Sequence, residues 1–99
     1  MKVYISGPVT GTDDYMERFA RAERLLCAQG YMAVNPVKVG TQFPEGTTHE
    51  ERMKMSMAMM DMCGAVFMLE GWQGSKGCGI EFEYAYEHGI TIAFEGGRA

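Results

Sequence analysis

Ala65-Val66-Phe67-Met68-Leu69 is a run of five apolar residues with no polar break, set between Gly64 and Glu70. A continuous run of this length predicts a strand covered on both faces, the situation of a strand inside a parallel sheet. Parallel strands need crossover connections, so the flanks of this segment should supply helices. Upstream, Thr48 reads as an N-cap and Glu51, three residues on, completes a capping box for a helix running to about Met62. Downstream, the loop Glu70 to Gly77 leads into a helix from about Cys78 to His88 that Gly89 closes. Ile90-Thr91-Ile92-Ala93-Phe94 then reads as another strand, before a polar tail from Glu95 to Ala99.

Farther out the same alternation holds. Lys2-Val3-Tyr4-Ile5-Ser6 is a β-rich run halted by Gly7-Pro8, and it reads as the first and central strand. From Thr12 to Gln29 the period becomes helical, with Met16, Phe19, Ala20, Leu26 and Cys27 near one face, Asp13 and Asp14 suited to the first turn, and Gly30 at the end. Tyr31 to Val34 is a second strand, closed by Asn35-Pro36 because the residue before a proline is pushed out of helical geometry. Val37 to Thr48 carries no sustained period and reads as a long loop of the functional kind, suited to act as a lid. Strands alternating with helices define one domain over residues 1–99, a three-layer α/β sandwich with a four-stranded parallel sheet of flavodoxin-like or Rossmann-like type. In such sheets ligands sit at the carboxyl ends of the strands, so the loops after strands one, two and three should converge on one pocket.

Composition narrows the partners. With 99 residues, 46% of them hydrophobic, the chain can bury one core. A formal charge of −4 provides no footprint for a DNA or RNA polymer, although a small phosphate can still be held by backbone N–H groups. Cys27, Cys63 and Cys78 lack zinc-site spacing and follow no secretory signal, so they read as reduced thiols of a cytoplasmic protein. No apolar run approaches the roughly 20 residues of a membrane span. The helix after Thr48 carries methionines at 53, 55, 57, 59, 60 and 62, more than one buried stripe requires, which suggests a flexible core or a contact between subunits.

Two glycine-containing turns could bring a ligand to the backbone. Ser6-Gly7-Pro8-Val9-Thr10-Gly11 follows the first strand and opens a helix, where Gly7 would allow close approach. It is neither a P-loop nor a dinucleotide fingerprint, and no organic cofactor or metal is expected. Ser75-Lys76-Gly77-Cys78-Gly79-Ile80-Glu81 begins another helix, and Glu81 shares a face with Ala85, whereas Glu83 points roughly 200° away. Glu81 thus looks inward toward the cleft, or is a first-turn glutamate that merely complements the helix dipole. Trp72 could stack on a base or cap the core, Asp61 and Glu70 are candidate proton donors, and His49 and His88 read as surface residues.

Tyr4-Ile5-Ser6-Gly7-Pro8, Asn35-Pro36, the Leu69-to-Trp72 segment and Ser75-Lys76-Gly77 leading to Glu81 together resemble small phage and bacterial proteins related to nucleoside 2-deoxyribosyltransferases. The turn before Glu81 is also similar to that of 2′-deoxynucleoside 5′-monophosphate N-hydrolases. The resemblance implies a nucleoside or nucleotide ligand and cleavage or transfer of its N-glycosidic bond. It implies Glu81 as the carboxylate at the anomeric carbon and Tyr4, Ser6, Gly7 and Pro8 beside the sugar and base. It further implies Ser75 and Gly77 at the 5′ end, Asn35 and Trp72 in the site, and a homo-oligomer. The chain departs from these relatives at Ser56 and Gly64, where they carry acids, and at Thr10, where nucleotide-hydrolysing relatives carry arginine. A binding protein that holds a nucleotide without turnover is the alternative, and an interaction protein using the methionine-rich helix is a third reading.

Overall fold

The computed structural model describes residues 1–97. Its elements run β1 (Lys2–Ser6), α1 (Tyr15–Ala28), β2 (Met32–Val34), α2 (Pro36–Gly40), α3 (His49–Asp61), β3 (Ala65–Met68), α4 (Lys76–Glu87) and β4 (Thr91–Phe94), with single 3₁₀ turns at Trp72–Gly74 and Glu95–Gly97. All strand pairs are parallel, in the order β2-β1-β3-β4. The chain moves outward from β1 to β2, then crosses to the other side of β1 for β3, so the order reverses between β1 and β3. In sheets of this kind such a reversal marks where ligands gather, at the carboxyl ends of the strands.

Alternation along the strands divides the core in two. Val3 and Ile5 of β1, with Ala65 and Leu69, face α1, where Phe19, Ala22 and Leu26 are buried. Tyr4, Val66 and Met68 face the other way, against Met59 and Met60 of α3 and Cys78 and Ala85 of α4. That is helix, sheet, helix: three layers. The buried stripe of α1 is narrower than its sequence suggests, since Met16 is 57% exposed and Cys27 is also exposed. Both lie about 90–100° around the axis from the centre of the Phe19–Ala22–Leu26 row.

The segment Val37 to Thr48 is not loop throughout. Asn35 adopts extended geometry and its Oδ1 accepts from the Val37 N–H at 3.1 Å, while Pro36 takes the first helical position; together they start α2. Asn35-Pro36 therefore ends a strand and begins a helix in the same two residues, because proline's missing N–H costs nothing at N1. Thr48 caps α3 with both halves of the capping box formed, at 2.9 and 3.1 Å. Along α3, Met59 and Met60 are buried, whereas Met55 and Met62 are 44% and 59% exposed.

Candidate active site

β1 presents Tyr4 and Ser6, two residues apart, on the same face of the sheet. α4 presents Glu81 to both. Ser75 places that helix by accepting the Cys78 N–H at 3.3 Å as its N-cap, so α4 begins at Lys76 and the buried stripe is Cys78, Glu81 and Ala85. Glu83, as its angular position requires, is exposed. The Tyr4 hydroxyl donates to Glu81 Oε2 at 2.7 Å and the Ser6 hydroxyl to Oε1 at 2.6 Å, all three side chains being buried. Each carboxylate oxygen thus has one fixed donor and retains capacity for another.

The electrostatics follow from that enclosure. Burial pushes the Glu81 carboxyl above its ordinary value, and the hydroxyls of Ser6, Tyr4 and Ser56 oppose the rise by bonding the ionised form. Burial also raises the Tyr4 phenol, and the neighbouring carboxylate raises it further, so Tyr4 stays a donor. The Cys78 thiol is pushed up by burial as well and stays neutral. The result is a desolvated carboxylate in a low-dielectric setting where its charge acts strongly on a neighbouring ligand.

Above it opens a cavity of about 500 Å³ between β1, the start of α1, α2, α3 and the start of α4. Tyr4, Gly7, Ser75, Gly77 and Glu81 line it, and Ser6 stands behind Glu81, bonded to it. Pro8, Asn35 and Trp72 are not among its lining residues. Pro8 lies beside Gly71, and Asn35 is held by its cap and by Glu23, 3.1 Å away. Trp72 stacks on Phe82 with ring centroids 4.7 Å apart and borders a separate cavity of about 370 Å³, its buried Nε1 without a hydrogen-bond partner among the described residues. The aromatic cluster Trp72–Phe82–Phe94 closes the core beneath α4.

Gly7 has a reason other than ligand approach. A Cβ there would sit 2.7 Å from Leu69 Cδ1, because the Leu69 N–H bonds the Ser6 carbonyl and draws the two loops together at the switch point. Neither candidate proton donor reaches the cavity. Asp61 accepts the Tyr84 hydroxyl at 2.5 Å on the outer surface, and Glu70, past the end of β3, is exposed. Gly64 precedes β3, where its N–H bonds the Lys2 carbonyl at the opposite end of the sheet.

Three lining residues escape a reading by motif: His49, Arg52 and Phe43. With Ser56 and Met59, His49 and Arg52 fall at i, i+3, i+7 and i+10, one face of α3 descending from the mouth of the cavity to its floor. That polar row was present in the sequence but crowded by methionines. Among the described residues no cluster of three or more His, Cys, Asp or Glu could hold a metal, and no helix is long and apolar enough to cross a membrane.

The architecture is that of the 2-deoxyribosyltransferase fold. The structure superimposes on a 2-deoxyribosyltransferase from Bacillus psychrosaccharolyticus with a TM-score of 0.77 at 16% identity, covering 95% of this chain and 71% of that one. A 2-deoxyribosyltransferase from Leishmania mexicana gives 0.70 at 17% identity, covering 94% and 62%. The chain therefore spans roughly two thirds of the length of these enzymes, and at such identity the likeness is one of fold. A family model described as a domain of unknown function, DUF4406, matches residues 1–94, and the chain belongs to that family. No curated protein matches it.

Proposed function

We propose that the chain binds a nucleoside or nucleotide and cleaves or transfers its N-glycosidic bond, with Glu81 as the central carboxylate. One observation carries the reading: Glu81 is buried at the cavity, and each of its oxygens is bonded by a hydroxyl from the central strand. Breaking a glycosidic bond builds positive character at the anomeric carbon. A desolvated, immobilised carboxylate answers that charge or bonds to the carbon, and two fixed donors keep the reacting oxygens in place. Tyr4 and Ser6 are positioning residues in this scheme, Gly7 shapes the sugar side, and Ser75 and Gly77 face the 5′ end. The similarity of fold to two 2-deoxyribosyltransferases agrees with it.

A second reading, a binding protein without turnover, has its own support. Glu81 is the one carboxylate among the lining residues, and Ser56 rather than a second acid stands across from it. The departing base must collect a proton, and no second carboxylic acid lines the cavity to supply it. Incubating the wild type and Glu81→Gln with deoxynucleosides and their monophosphates, and measuring free base and ligand affinity, separates the two. An N-glycosidase or transferase loses on the order of 10² to 10³ in turnover with affinity largely kept. A sequestering protein releases no base in either form, and the substitution alters affinity alone. Wild-type turnover in the variant removes Glu81 from the mechanism.

A further inference from the structure

Arg52 is the one guanidinium among the residues lining the cavity. Arg18, Arg24, Lys38 and Lys54 each lie against a carboxylate; among the described residues the side chains of Lys2, Arg21, Lys76 and Arg52 have neither ion pair nor hydrogen bond, and of these only Arg52 lines the cavity. Its guanidinium carbon lies 5.1 Å from the centre of the Phe43 ring. A cation–ring contact engages no hydrogen-bond acceptor, so the N–H donors of the guanidinium stay available. In a chain with four more acidic than basic residues, this is an uncommitted cation turned toward a cavity whose other fixed charge is negative.

Its position relative to Glu81 is set by α3. Ser56, whose hydroxyl favours the Glu81 carboxylate, is one turn farther along the same face, about 6 Å by helical rise. Arg52 shares the cavity with Ser75 and Gly77 of the opening turn of α4, and its neighbour Met53 packs there, its sulfur 3.9 Å from where a Cβ on Gly77 would sit. A pentose with its anomeric carbon at Glu81 would direct its 5′ substituent into the space between these elements. A doubly charged phosphoryl group there would be repelled by Glu81 unless a cation answered it, and a planar guanidinium matches two phosphoryl oxygens at once.

We propose that Arg52 selects ligands bearing a 5′-phosphoryl group, so that the substrate class is the deoxynucleoside 5′-monophosphate rather than the free nucleoside. The assignment builds on the reading of Glu81 as the group at the anomeric carbon, but it is testable by binding alone.

Calorimetry compares the four common deoxynucleoside 5′-monophosphates, the matching nucleosides, and 2-deoxyribose 5-phosphate, which carries the anion without a base. Wild type should bind the monophosphates more tightly than the nucleosides, with an affinity that falls as salt rises. Arg52→Met should lose about 10- to 100-fold for the phosphorylated ligands, so that the ratio of monophosphate to nucleoside affinity collapses toward one. Arg52→Lys should fall between, keeping a charge but not the planar fork. Equal weakening of nucleoside and monophosphate, an unaltered ratio, or no wild-type binding of any monophosphate overturns the proposal. If the selective loss is seen and no free base is released from any substrate, the phosphoryl assignment stands and the glycosidic reading fails.

Discussion

Gly7 and Glu81 show how differently single residues can be constrained at one site. For Gly7 the constraint is volume, because Leu69 is fully buried and fills the place of a side chain. Gly7→Ala should lower stability by about 1–3 kcal/mol, as added methylenes in a close-packed core usually do. Leu69→Ala alone should cost about 2–5 kcal/mol. The double variant should cost less than the two together, because each change relieves the other. Urea denaturation of the four proteins measures this, and strictly additive losses would deny the contact. For Glu81 the constraint is chemical. Its inward orientation was legible from helical spacing with Ala85, but the Ser6 hydroxyl on its Oε1 was not, since nothing local in a sequence reports which strand residues lie beside a helix some 75 positions away.

At the level of elements, α2 rests on one side chain. Asn35 satisfies the Val37 N–H and holds Glu23 of α1, and α2 contributes Pro36, Val37 and Gly40 to the cavity wall. Asn35→Ala should destabilise the chain by about 1 kcal/mol, seen as a lower denaturation midpoint. Asn35→Asp should recover only part of that, since it restores the cap acceptor but sets a second carboxylate against Glu23. All four strands, the capping box of Thr48 and the stripe ending at Ala85 could be read from the sequence, because each rests on local period and local capping. α2 could not, because Asn35-Pro36 serves as a strand end and a helix start at once, and the five residues of α2 are too few to show a helical period. Trp72 was ambiguous for a related reason. A tryptophan between glycines suits a ligand or a core equally, and Phe82 and Phe94 settle it by stacking.

The whole molecule bears the cost of a buried carboxylate. Burial lifts the Glu81 pKa in the folded chain above its unfolded value, so the folded form holds its proton more tightly. This contribution to stability is complete below the ordinary carboxyl range and is lost as pH rises through the lifted value. Glu23 and Glu51 are shifted downward, Glu23 chiefly by Lys38 and Glu51 by Thr48, and act in the opposite sense at lower pH. Comparison with Glu81→Gln cancels them. The variant should melt above the wild type at pH 8, on the order of a few degrees for a chain of this size, and the gap should close as pH falls toward 5. A gap independent of pH would mean that Glu81 is not strained by its burial. The sheet adds a consequence of another kind. Tyr4 and Ser6 reach Glu81 only because β1 pairs with Ala65–Met68 of β3 in one register. A slip by a single residue would keep every apolar side chain within the chain's interior yet turn Val3 and Ile5 toward the carboxylate. Spectra sensitive to helix and strand content would scarcely distinguish that misfold from the native form. Under the function proposed above, free base released per mole of refolded protein would, and it would gauge how faithfully the central strand has been threaded.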